Sequence, residues 1–398
     1  MEENKKNKIP NVPTLRFNSF TSSYVRTKLS RHLKTNPERN KNKFFSKYDV
    51  LSVSGEIGVV NQIKHLGRSY AGESVAPYHI LKVGQIVYTK SPLAESPYGI
   101  IKLNRFEDGI VSTLYAVYDV LNNSDGKYIE HYFSYKPRLN NYLRPIVRIG
   151  AKHDMKIGND EVLDNYVYFP EKSEQEKIAQ FLDFLDERIS TQNKIIEEYQ
   201  ALKNCIIDAI ILKSRKIGTC KINKIIEEYN VKTTNDNEYP VLSSTASGIY
   251  FQNEYFNKEA ASENTTGYKC VPKGYCAYRS MSDTGRFYFN MQSITDVGIV
   301  SPAYPVFSVK EDSALFLVSV LNRDKNIIKE ILKLKAGGTR FSLPFKKLVE
   351  LEIPWPDHQT RKHFMKIIRN MIQKIDLEQK ILAKYIDQKS YLLNNMFI

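Results

Sequence analysis

The sequence predicts an α+β fold: two mixed α/β domains joined by two long antiparallel coiled-coil helices, arranged as a pseudo-twofold tandem repeat. A duplicated helix is the first reason. The stretch 171–212 has a second copy at 357–398, with apolar positions matched at an offset of 186. Ile178 meets Phe364, Leu182 meets Ile368, Leu185 meets Met371, Ile189 meets Ile375, Ile196 meets Leu382, Tyr199 meets Tyr385, and Ile206 meets Leu392. The polar interruptions match too, Gln192 with Glu378 and Lys203 with Lys389. The second reason lies ahead of each helix. Gly109-Ile110-Val111-Ser112 recurs as Gly298-Ile299-Val300-Ser301, an offset of 189. Tyr48, Val50, Leu51 and Ser52 meet Tyr239, Val241, Leu242 and Ser243 at an offset of 191, and Tyr78–Ser91 resembles Tyr268–Met281 at 190.

The expected segments are a first globular domain at 1–170, a first long helix at 171–212, a second globular domain at 213–356 and a second long helix at 357–398. Residues 14 to 168 alternate short β-rich runs with Gly, Asn and Pro. Val50–Ser54, Gly58–Val60, Gln85–Tyr88, Gly109–Val120 and Tyr166–Phe169 read as strands, and Asn122–Gly126 as a turn. Ser173 with Glu176 three residues on is a capping-box pattern for the first long helix. In the second domain Tyr239–Phe251, Gly274–Tyr278, Arg286–Asn290 and Gly298–Val309 read as strands, and Ser313–Leu334 as one helix. Long helices gain most of their stability by burying an apolar stripe. The two matched seams therefore predict mutual packing, run antiparallel, with a globular domain at each end. Some 40 residues at ~1.5 Å each give a rod of about 60 Å.

Lys and Arg number 58 against 44 Asp and Glu, a net charge of +14, so a polyanion is the expected partner, nucleic acid before an anionic membrane. No apolar run reaches the ~18 residues of a membrane span, and the charged start lacks a secretory h-region. A cytoplasmic protein is expected. Cys205, Cys220, Cys270 and Cys276 form no CxxC pair, so buried thiols and no metal site are expected. Catalytic signatures are missing: no phosphate loop, no dinucleotide fingerprint, no HExxH, no GxSxG, no amino-methyltransferase Asp-Pro-Pro-Tyr and no acidic cluster for two-metal chemistry. His65, His79, His131 and His153 are scattered and read as surface or turn residues. A non-catalytic binding protein without cofactor follows.

The tandem layout, the opening Val12-Pro13-Thr14-Leu15-Arg16-Phe17 and the run Phe169-Pro170 to Glu174-Gln175-Glu176-Lys177-Ile178-Ala179 resemble the specificity subunits of type I restriction-modification systems. Ile353-Pro354 followed by His358-Gln359 looks like a worn second copy, with Thr360-Arg361-Lys362 where the first has Glu-Gln-Glu. The resemblance implies two target recognition domains, each reading half of a split target in double-stranded DNA. It also implies helices that set the gap and dock two methyltransferase (M) subunits, with endonuclease/translocase (R) subunits joining. A stand-alone two-headed DNA-binding scaffold or repressor is the alternative, and a tandem lectin-like adhesin a third reading.

Within such modules phosphate contacts set register and base-edge contacts set sequence. Loops after matched strands nominate Lys90, Ser91 and Tyr98, with Lys64, Arg68 and Tyr70 nearby, in the first domain. In the second they nominate Arg279, Ser280 and Arg286. Lys335, Gly337, Gly338 and Arg340 form a glycine-loosened basic loop, with Lys136 and Arg138 as its expected counterpart.

Overall fold

The structure, a computed structural model, describes residues 11–72, 74–93, 96–149, 155–255, 264–334 and 341–398. The chain divides into two compact units, Met1–Asn193 with Lys380–Ile398, and Lys194–Gln379. Each is built on a four-stranded antiparallel sheet. Its order is Leu33–Asn36, Tyr115–Val120, Ile86–Thr89, Ile101–Leu103 in the first unit, and Ile226–Glu228, Val306–Val309, Cys276–Tyr278, Phe289–Met291 in the second.

Ile86–Thr89 is buried on both faces, and the period-two alternation of a strand divides it between two cores. Ile86 and Tyr88 face the main core with Tyr128, Phe133 and Leu143, whereas Val87 packs among Leu51, Val59, Leu81 and Val111. The second unit repeats this. Cys276 and Tyr278 face the core with Phe316 and Leu321, and Ala277 packs with Leu242, Val271 and Val300.

The repeat seen in the sequence is a repeat of strand register. His79↔Val111 and Leu81↔Gly109 recur as Lys269↔Val300 and Val271↔Gly298. Leu51↔Asn61 recurs as Leu242↔Phe251. Even the parallel bridge Val50↔Ile110 has its copy in Val241↔Ile299. The repeated glycine has a steric cause. A Cβ on Gly109 would lie 2.6 Å from the Asp49 carbonyl oxygen and 2.8 Å from Leu51 Cγ. On Gly298 it would lie 2.6 Å from Leu242 Cγ. In both units glycine leaves room for a buried leucine of the neighbouring hairpin.

The long helices are Lys172–Ile217 and His358–Asn395, each shared between the two units. In the first unit Asp186 pairs with Lys389, and Leu182 and Leu185 pack with Leu392, Leu393 and Met396. In the second unit Lys374 sits 5.7 Å from the Tyr199 ring centroid, and Ile207 and Ile211 pack with Phe364 and Ile368. Rising numbers in one helix meet falling numbers in the other, so the segments are antiparallel within each unit. Of the expected seam, Ile178, Leu182, Leu185, Ile196, Phe364, Ile368, Ile375 and Leu392 are buried. Ile189, Tyr199, Ile206, Met371, Leu382 and Tyr385 are half-buried.

Several local expectations are corrected. The region 14–168 is not solely β-rich: it holds the helices Gly126–Ser134 and Lys136–Leu143. The Asn122–Gly126 turn ends in their start signal, because Asp125 accepts a hydrogen bond from Tyr128 N at 2.8 Å. The expected helix Ser313–Leu334 is two helices, Ala314–Arg323 and Lys325–Leu334. Asp324 breaks it by leaving helical geometry to cap Asn326 N at 2.9 Å. Gly109–Val120 and Gly298–Val309 each split into two strands in different sheets. Ser173 is not a cap, since it already lies inside the helix with its hydroxyl 3.1 Å from the Glu171 carboxylate. His79 and His131 are core rather than surface residues. Burial pushes His79 down to about 4, helped by the charges of Arg39 and Lys90, and does the same to His32. Only Cys270 and Cys276 of the thiols are buried; Cys205 is exposed.

Candidate nucleic-acid interface

The two motifs quoted for the first unit meet in space. Arg16 Nε and Nη2 clasp the Glu174 carboxylate at 2.7 and 2.6 Å, and Tyr24 adds its hydroxyl at 3.3 Å. Glu174 is fully buried, so this fork-on-fork pair carries its charge. Gln175 donates to the Pro170 carbonyl at 2.9 Å and accepts from Asp125 N at 3.1 Å. The departure at 360–362 keeps that function. Arg361, buried, donates to the matching Pro356 carbonyl and reaches Ser313 Oγ at 3.0 Å. A different side chain thus ties the same strand exit to the same helix start.

Lys64 is on a short helix, Gln62–Leu66, capped by Asn61 and ended by Gly67 at φ 74°. Its ammonium is 3.5 Å from Glu107 and 5.3 Å from the Phe106 ring centroid. Arg68 stacks on Tyr70 at 4.6 Å, and Tyr70 is 60% exposed, which leaves a flat cationic and aromatic surface in solvent. Lys90 is half-buried and donates to Asn159 Oδ1 at 2.6 Å; desolvation pulls its pKa down against the nearby Glu161. Ser91 and Tyr98 are half-buried, and the Tyr98 carbonyl accepts from Tyr88 Oη at 2.7 Å.

Lys136 and Arg138 lie on a helix rather than in a loop. Lys136 is exposed, but Arg138 donates to the Tyr132 carbonyl at 3.0 Å and the Leu393 carbonyl at 2.7 Å, with Phe397 under its guanidinium. Desolvation lowers its pKa, against the favourable field of the tyrosines. Arg138 therefore serves the packing of the second long helix.

In the second unit Arg279 is exposed and makes no hydrogen bond or ion pair among the described residues. Ser280 donates to the Ala303 carbonyl at 2.7 Å. Arg286 donates to the Asn322 carbonyl, which ties it to the helix Ala314–Arg323. Lys335, Gly337, Gly338 and Arg340 lie outside the described residues. Arg279 opens onto a cavity of about 320 Å³ lined also by Gln252, Tyr268, Met281, Ser301 and Tyr304. Sequence reading missed Gln252 and Tyr304, although the repeat could have flagged Gln252 through its partner Gln62. It also missed Tyr250 stacked on Tyr255, ring centroids 5.4 Å apart. Among the described residues no helix is long and apolar enough to cross a membrane.

No family model and no curated relative matches the sequence. Among solved structures the chain is similar to the S subunit of a type I restriction-modification system from M. genitalium. That match has a TM-score of 0.58 at 15% identity and covers 97% of this chain and 99% of the other. A second similar chain belongs to a structure describing complex assembly and conformational transition of the type I R-M system. It has a TM-score of 0.54 at 10% identity, over 94% of this chain and 97% of that one. The chain has the fold of type I specificity subunits. Two mixed α/β units sharing a pair of long helices are what the likeness spans.

Proposed function

We propose that this protein is the DNA sequence-specificity subunit of a type I restriction-modification complex, acting in the cytoplasm without catalysis of its own. Each unit reads one half of a bipartite target. The long helices set the gap and dock two methyltransferase subunits, and endonuclease/translocase subunits join the assembly. The observation that carries this reading is the repeat of register across two units that share one continuous helix of 46 residues. At ~1.5 Å per residue that helix is about 69 Å long, near two turns of B-DNA at ~34–36 Å each. The net charge of +14 supports a phosphate backbone as the partner.

The test is co-expression with methyltransferase subunits, followed by methylome sequencing. A split adenine-methylated motif is expected. Inserting one heptad after Gln192 and after Glu378 should add ~10.5 Å, or about three base pairs, to the gap, with both half-sites unchanged. A continuous motif, or a gap indifferent to helix length, refutes the reading.

A further inference from the structure

The two units differ where they are otherwise superposable in register. Gln62 and Gln252 hold matched positions, each just after its hairpin, and each donates to a matched serine: Ser52 Oγ at 3.2 Å and Ser243 Oγ at 3.4 Å. In the first unit the amide's carbonyl oxygen is taken, because Gln62 Oε1 accepts from Tyr70 N at 2.7 Å and Ser69 Oγ at 3.4 Å. In the second, Gln252 Oε1 accepts no hydrogen bond among the described residues. It retains a free acceptor beside the amide proton that Ser243 leaves spare, whereas Gln62 keeps only its spare proton. The neighbouring position differs in the same sense. Thr89 is buried in the first unit, its hydroxyl taken by Ile100 N at 3.0 Å. Its match, Arg279, is exposed, and its guanidinium has no acceptor among the described residues. Gln252 and Arg279 line one cavity of about 320 Å³ with Tyr268, Ser301 and Tyr304.

An amide that offers one donor and one acceptor side by side matches the N6/N7 edge of adenine, and a guanidinium fork matches O6/N7 of guanine. We propose that this cavity is the base-reading pocket of the second unit, with Gln252 taking an adenine edge and Arg279 a guanine edge in the major groove, and that the first unit reads its half without the matching pair. The proposal rests on the DNA-recognition reading above. It adds which residues discriminate and makes the two units chemically unlike readers.

The experiment selects the full chain, bound to its methyltransferase partners, against a randomised duplex library and sequences what is retained. Wild type is expected to select a split motif. Gln252→Ala and Arg279→Ala should each erase preference at one position of the same half-site, weakening binding to the wild-type motif about tenfold to a hundredfold and leaving the other half intact. Gln252→Glu should switch preference at its position toward cytosine, whose N4 donates to a carboxylate, a change no merely structural role produces. If Arg279→Ala weakens all sequences equally and lowers the salt slope by about one, Arg279 contacts phosphate and the pocket assignment falls. Retention of the full wild-type motif by both alanine variants overturns it as well. A wild-type chain that selects no sequence overturns the recognition reading itself, and the pocket with it.

Discussion

Adding one methyl group at each repeated glycine should destabilise both units, and the two cases should respond differently to the same rescue. At Gly298 the new Cβ meets the side chain of Leu242, with Cγ at 2.6 Å, and no other residue's atoms are among its nearest. At Gly109 it meets Leu51 Cγ at 2.8 Å and also the Asp49 backbone oxygen at 2.6 Å. Overpacking a tight core costs about 1–3 kcal/mol. Gly109→Ala and Gly298→Ala should each lose that amount, about 2–4 °C of melting temperature per kcal/mol in a unit of this size. Leu51 and Leu242 are 1% and 2% exposed, so cutting either to Ala alone should cost about 2–5 kcal/mol. The double mutants separate the mechanisms. Leu242→Ala removes the three nearest contacts at 298, so the pair should be less than additive by about 1–3 kcal/mol. Leu51→Ala leaves the Asp49 carbonyl in place, so the coupling at 109 should be smaller by ~1 kcal/mol or more. Urea unfolding with calorimetry reads both cycles. Equal coupling at the two sites, or additivity at 298, refutes the steric account of the repeated glycine.

Glu174→Ala should destabilise the first unit by about 3–5 kcal/mol in urea titrations, since it strands the Arg16 guanidinium, which is only 12% exposed. His32 and His79 are held neutral, pushed by burial to about 4 from an unfolded value near 6.5. The unfolded chain binds more protons between those values, so stability is fully present above pH 6.5 and is lost as pH falls toward 4, by about 2–3 kcal/mol per histidine. Stability measured from pH 7 to 4 should show that slope, and His79→Asn should remove about half of it, leaving the share of His32. Phe397→Ala, at a site 4% exposed, should cost about 3–5 kcal/mol and raise hydrogen exchange in Tyr166–Phe169, whose Phe169 shares its cluster.

The repeat, the strand exits before each long helix and the seam were legible because burial with a fixed period leaves a pattern in any one sequence. Offsets near 190 became matched strand registers because a slip of one residue would turn Val87 and Ala277 toward the wrong core. The helices Gly126–Ser134 and Lys136–Leu143 were missed. Their aromatic residues, Tyr128, Tyr132 and Phe133, bury on one helical face but look β-like in composition. The offset itself pointed to them, since Ala314–Arg323 and Lys325–Leu334 stand at the matching place. Candidate contacts were least legible. Arg138 and Arg279 are the same residue type in sequence, yet one is consumed by backbone carbonyls and the other has no protein acceptor among the described residues. Only tertiary packing separates them.

One consequence concerns the order of synthesis. Every strand of the first unit precedes residue 193, but Leu392, Leu393, Met396 and Phe397 belong to its core. A ribosome adding ~5–20 residues per second needs roughly 10–40 s to cover the intervening stretch. During that wait the apolar bed around Phe169 and Leu182 stands uncovered, while the later unit emerges whole. The unit made first is the one finished last, so nascent chains of this protein carry a built-in demand for protection until their final turns arrive.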